Sequence, residues 1–344
     1  MEMLTKKERL EKVFRGETPD RMPVSAWRHF TEDEHSGAKR WADKLLEFQA
    51  KYDWDFLKLQ PRASLFCEVW GQKYDYDNYG KNVVAPCTEH LLDYETLGSD
   101  LAKIKRIDNS TVLDEAAEGV SIAVKALPDV PVFQTIFCPG AIFEMFFGAL
   151  PSGRYRATSR TGGIVEAITR YPEETALAMQ NITDTLIAYV KKLKEIGTYG
   201  IFYSSAALAR DGYLTLPEWE KYVKKYDIQL IEAMKPMKVM LHTCGIHANP
   251  ERFVAYPIDI LHWADSADGN PKLADSAEWI KNIVPAGGCD ERLFGQNKAE
   301  EIAELSAATL RKMGKRPFVL CPDCSLSVKT TDEEIKAFRN SVER

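Results

Sequence analysis

The chain has 344 residues, with 45 basic against 51 acidic side chains and a formal net charge of −6. That balance offers no electrostatic footprint for nucleic acid or an anionic membrane, and 45% hydrophobic with 28% charged residues excludes the disordered, collagenous and low-complexity classes. No uninterrupted apolar window of ~18 residues occurs, so no helical membrane span is expected.

The first residues, Met1 to Arg15, are charged and lack the apolar core of a secretory signal. Seven cysteines, an odd number in a chain too large to need disulfide staples, point to reduced thiols and a cytoplasmic location. Thr5 and Glu8 form a capping box, in which hydroxyl and carboxylate each satisfy a free N–H at a helix start. From there short apolar runs alternate with longer stretches of helical period. The runs predict strands at Pro23–Trp27, Asp55–Pro61, Pro131–Phe137, Gly200–Ser204, Lys238–Cys244, Asp259–Ala264, Ile283–Cys289 and Arg316–Cys321. Between them, Trp41, Leu45, Phe48 and Tyr52 share one helix face; so do Met179, Ile182, Leu186, Val190 and Leu193, and again Trp219, Val223, Tyr226, Leu230 and Met234. These stripes predict packing against a core. Thr331 and Glu334 cap a last helix carrying Ile335, Phe338 and Val342.

Eight strands alternating with helices, and no composition shift to mark a linker, predict an α/β fold, a (β/α)₈ barrel occupying residues 1–344 as one domain. The irregularity is residues 63–129. They hold one helix around Leu113–Leu127 and a cluster of Tyr74, Tyr76 and Tyr79, read as an insertion near the C-terminal mouth.

Active sites of such barrels are built where the strands end, so the residues after each apolar run are the candidates. Five of the seven cysteines and three of the six histidines fall there. The sharpest element is His242-Thr243-Cys244, because strand alternation sends residues i and i+2 to the same side. One more thiol from the last strand, Cys324 or Cys321, would complete a His/Cys/Cys set of the kind zinc prefers, with a coordination position left open. The plain alternative is a packed cysteine beside a satisfied imidazole. Arg28 and Arg62 could clamp an anionic group on a substrate or sit in structural ion pairs. His29 could serve as acid or base or orient a loop. Asp265 and Asp290 could bind substrate, orient a ligand histidine or cap the next helix, and Tyr203 could donate a hydrogen bond to substrate. No glycine-rich nucleotide loop, Gly-x-Ser-x-Gly or His-Glu-x-x-His string occurs.

Four segments together carry a resemblance: Arg15 to Val24 (RGETPDRMPV), Val239 to Gly245 ending His-Thr-Cys-Gly, Gly287-Gly288-Cys289-Asp290, and the closing Cys324-Ser325-Leu326. They resemble the uroporphyrinogen decarboxylase superfamily over essentially the whole chain, which implies a (β/α)₈ barrel with its site at the C-terminal rim. The metal-free decarboxylases of that family hold a tetrapyrrole through an arginine-rich N-terminal segment and an aspartate after the next strand. Here Ala26-Trp27-Arg28-His29-Phe30 keeps one arginine, and Gln60-Pro61-Arg62 stands where the aspartate belongs. The sequence is more similar to the zinc-dependent corrinoid methyltransferase branch, of the methylcobamide:coenzyme M methyltransferase type. By that resemblance the zinc ligands are His242, Cys244 and Cys324, and Cys321 is an extra thiol. The resemblance further implies a corrinoid carried by a partner protein docking at the mouth, and a small-molecule thiol, methoxy or methylthio compound as methyl acceptor or donor. A decarboxylase of porphyrin or another carboxylated substrate, and a non-catalytic corrinoid- or tetrapyrrole-binding subunit, are the alternatives. A homodimer is one assembly to test.

Overall fold

The computed structural model describes residues 3–81, 83–148 and 159–343; the first two residues of the N-terminal segment and residue 82 of the insertion lie outside them. Its nine strands in chain order are β1 (Leu57–Leu59), the pair β2 (Lys73–Tyr74) and β3 (Cys87–Glu89), β4 (Val132–Phe137), β5 (Gly200–Ala206), β6 (Lys238–Thr243), β7 (Ile260–His262), β8 (Val284–Cys289) and β9 (Val319–Pro322). All but β2 and β3 form one parallel sheet in the order β1-β4-β5-β6-β7-β8-β9. The barrel predicted from the alternation is the observed fold.

The expected first strand, Pro23–Trp27, closes this sheet without forming a ladder. Val24 bridges Leu320 in parallel, Leu320 N donates to the Pro23 carbonyl at 2.9 Å, and on the other side Asp55 N donates to the Val24 carbonyl at 3.0 Å. The Val24 N–H is taken by the Asp55 carboxylate at 2.8 Å, a side chain occupying the place of a ladder acceptor. The segment is therefore a stave of the barrel held by a few scattered bonds to either neighbour.

Alternation sorts the strand residues into two layers. Phe56, Phe133, Phe202, Met240, Ile260, Val284 and Cys321 pack together inside the barrel with Trp27, and Leu10 and Val13 of the helix α1 (Lys6–Phe14) join them from below. The lumen is a filled core, as such barrels require. Leu57, Ile136, Tyr203, Leu241 and Leu261 face outward into the second cluster beneath the helices. The predicted stripes are buried there: Trp41, Leu45, Phe48 and Tyr52 on α2 (Ala38–Tyr52), and Met179 to Leu193 on the helix Pro172–Ile196. The stripe from Trp219 to Met234 is also buried, across helical segments joined by a wide turn at Glu220–Lys224.

The insertion divides by function. Its helix Thr111–Ala126 is capped by the Ser110 hydroxyl and belongs to the outer layer, where Trp41 of α2 approaches Gly119 so closely that a side chain there would clash. The short antiparallel pair β2/β3 and the turn that joins its strands lie over the mouth, tied down by the Tyr76 hydroxyl on Glu68 and the Tyr79 hydroxyl on Glu34.

Candidate metal centre and its cavity

The strand β6 delivers His242 inward, and the chain continues in the same alternation to Cys244. Cys324 comes from the segment just after β9. The His242 Nε2 lies 3.7 Å from the Cys324 Sγ, which lies 3.7 Å from the Cys244 Sγ, and all three donor atoms fall within 4.8 Å of one another. A disulfide would need about 2.05 Å. A tetrahedral zinc with Zn–S of about 2.3 Å and Zn–N of about 2.0–2.1 Å instead puts two sulfurs about 3.8 Å apart and a sulfur and a nitrogen about 3.6 Å apart. The observed spacings meet both, so the donor set fits zinc.

The imidazole is held in the right tautomer by a neighbour. β6 and β7 pair with His242 opposite His262, and the two Nδ1 atoms are 2.8 Å apart. His262 Nε2 lies 2.9 Å from the Pro322 carbonyl, which can only accept, so that nitrogen carries the proton. Burial pushes the His262 pKa well below the ordinary histidine value, which keeps the ring neutral. Its Nδ1 is then an acceptor, His242 donates from Nδ1, and the His242 Nε2 lone pair faces the two sulfurs. Replacing His262 by Ala removes that orientation and is expected to weaken metal binding by roughly 10–100-fold with both thiols intact. Zinc affinity measured by chelator competition checks this, and unchanged affinity would contradict the assignment.

Beside this cluster is a cavity of about 180 Å³ walled by Trp27, Phe137 and Phe202. Lys58, Gln60 and His29 also border it. The lysine can only donate, so its bond to Gln60 Oε1 fixes that amide, whose Nε2 then donates to His29 Nε2 at 3.1 Å. His29 in turn donates from Nδ1 to the Glu34 carboxylate, 3.0 Å away. Burial raises the Glu34 pKa, but His29, Tyr79 and the Phe30 N–H outweigh it and hold the carboxyl below its usual range. His29 thus stands on the cavity, as expected, within a chain running from Lys58 to Tyr79.

The other expected site residues lie elsewhere. Tyr203 faces outward, one residue out of phase with the inward Phe202 and Ser204, and donates to Asp227 at 2.6 Å behind the sheet. Burial pushes Asp227 up to about 7. Arg28 donates to the carbonyls of Val328 at 2.5 Å and Thr330 at 3.3 Å, and borders a groove outside the barrel. Arg62 is engaged by Glu68 at 2.8 Å and Glu115 at 3.0 Å, which makes it a structural ion pair. Asp265 accepts from Leu273 N at 3.1 Å, and Asp290 from Arg292 N at 2.9 Å with an ion pair to the same residue, so both shape turns. Cys321 is fully buried in the barrel core.

The residues not anticipated are His262, Glu34, Gln60 and above all Lys58. Lys58 is 2% exposed, and burial lowers its pKa from the ordinary 10.5 to about 7. The sign follows from linkage. The unfolded chain binds this proton more tightly, so the cost of burying the lysine is complete below about pH 7 and falls away as pH rises towards 10.5. A Lys58→Met variant is therefore expected to gain stability over the parent at pH 6, with the gain shrinking by up to about 1.4 kcal/mol per unit across that window. Urea unfolding at pH 6 and pH 9 measures it; a difference independent of pH would refute it.

The fold is a parallel barrel, and one imidazole and two thiols meet at its C-terminal rim. The chain belongs to the uroporphyrinogen decarboxylase (URO-D) family, whose model matches residues 5–344. Among solved structures, a methyltransferase from Methanosarcina mazei superposes with a TM-score of 0.78 at 16% identity, covering 99% of either chain. A B12-independent methionine synthase from Shewanella sp. W3-18-1, in complex with selenomethionine, has a TM-score of 0.57 at 15% identity over 94% of this chain and 92% of its own. At such identities these likenesses establish the fold. No curated protein matches the chain. Among the described residues no helix is long and apolar enough to cross a membrane.

Proposed function

We propose that this protein is a zinc-dependent methyltransferase that moves a methyl group between a corrinoid on a separate protein and a small thiol, methoxy or methylthio compound. The observation that carries this reading is the spacing of His242, Cys244 and Cys324 beside a small cavity. Zinc bound by those three residues would supply a Lewis acid with an open position, which turns a thiol into a thiolate or polarises a methylated heteroatom.

The chain's own residues do the rest. His262 holds the His242 ring in place, and Trp27, Phe137 and Phe202 keep water from the reacting group. The barrel mouth above the cluster is where a corrinoid protein would dock. Size favours this reading over porphyrin decarboxylation: about 180 Å³ is below the ~300–1,000 Å³ of pockets that enclose drug-sized ligands, and a tetrapyrrole is larger still.

The test is methyl transfer by zinc-loaded protein from methylcobalamin to simple thiols, and from methoxy or methylthio compounds to cob(I)alamin, followed by the cobalamin spectrum. Zinc-dependent turnover in either direction is expected. Turnover of uroporphyrinogen by metal-free protein, with no methyl transfer, would overturn the reading.

A further inference from the structure

Lys58 has no place in the methyl transfer as stated, yet it is costly to keep. Its side chain enters the barrel from β1 between two aromatic faces, with Nζ 4.2 Å from the Phe202 ring centroid and 5.1 Å from that of Trp27. Three other buried basic side chains have carboxylate partners: Arg9 has Asp20 and Asp55, Arg62 has Glu68 and Glu115, and Arg339 has Asp53 and Glu343. For Lys58 the single hydrogen-bond acceptor among the described residues is the neutral Gln60 Oε1. The nearby Glu34 carboxylate is committed to His29, Tyr79 and the Phe30 N–H. An ammonium has three donors, so two remain for whatever enters the cavity.

We propose that Lys58 is the receptor for a negative charge on the substrate: the cavity takes a compact monoanion with an apolar body, its charged end on Lys58 and its other end at the His242–Cys244–Cys324 cluster. As a statement about substrate class, this rests on the methyltransferase reading of the cluster. Trp27, Phe137 and Phe202 receive the body, and the cavity volume limits it to a small molecule. A neutral ligand of the same shape leaves the lysine without a counter-charge in a water-poor site, which is how the site would discriminate. Burial lowers the pKa of Lys58 and the nearby Cys324 and Glu34 offset that only in part, so a further negative charge in the cavity would stabilise the cation.

The experiment compares isosteric pairs, benzoate with benzamide and butanoate with butanamide, by titration calorimetry at pH 6. It uses the purified protein, Lys58→Met, Lys58→Gln and, as control, Lys39→Met. The anions are expected to bind the parent at least about tenfold more tightly than the amides. That preference should vanish in both Lys58 variants and survive in Lys39→Met, which removes an exposed lysine away from the cavity. Lys58→Met removes a buried charge and keeps the apolar stem, so it folds, as circular dichroism will record. An anion preference that persists in both Lys58 variants, or no binding of either anion at millimolar concentration, overturns the proposal. If methyl transfer is never observed while the preference follows Lys58, the methyltransferase reading fails and the anion receptor stands.

Discussion

A Cys244→Ala variant is expected to fold as the parent does and to lose its zinc. The thiol lies 3.7 Å from Cys324 Sγ at the rim of the cavity, where a methyl group can replace it without opening a hole in the core. Removing it leaves one imidazole and one thiolate, a donor set too small for a closed or a catalytic zinc site. The affinity should fall by more than the roughly 10–100-fold expected on losing an outer hydrogen-bond partner such as His262, with methyl transfer falling in step. Chelator competition and activity measured on the same preparations check both. Retention of metal and activity together would remove Cys244 from the site.

The largest expected effect on stability is at the opposite end of the barrel. Asp55 is fully buried and binds Arg9 at 2.7 Å, Arg21 at 2.6 Å and the Val24 N–H at 2.8 Å. Those partners are the helix that plugs the lumen and the stave that closes the sheet. An Asp55→Ala variant leaves the buried Val24 N–H without its acceptor and cuts Arg9 back to Asp20 and Arg21 to Glu343, a change that costs about 3–5 kcal/mol. In a chain of this size the melting temperature should fall by roughly 4–7 °C. A fall of under about 2 °C would show that barrel closure does not depend on this cluster.

The motif Arg15 to Val24 supports this structural role. Its Asp20 binds Arg9 and its Arg21 binds Asp55, so the segment that most visibly carries the family resemblance is engaged in closing the barrel, away from the site.

How far the sequence disclosed the site follows from which physical signals are local. His242 and Cys244 were legible because they lie two apart on one strand, where alternation alone makes them converge. Cys324 could be chosen over Cys321 only through the family resemblance; the structure places Cys321 inside the packed barrel core. Tyr203 was misplaced by one residue of phase, since Phe202 and Ser204 are the inward pair. For Arg62 the anion clamp and the structural ion pair stay equally open in the sequence, because its partners Glu68 and Glu115 come from the insertion and are joined to it by folding alone. His262 was missed as a partner of His242 because cross-strand register is set by the whole sheet. Lys58 did leave a signal. In Phe56-Leu57-Lys58-Leu59-Gln60 a lysine shares the inward face with Phe56 and Gln60 in the middle of a buried strand, and a charge at such a position asks for a partner.

The account stands most directly on the metal. Protein prepared without added zinc should contain close to one zinc per chain by elemental analysis, with anomalous scattering at the zinc edge locating the ion among His242 Nε2, Cys244 Sγ and Cys324 Sγ. Metal well below one per chain that zinc addition does not restore, or an anomalous peak elsewhere, would contradict it.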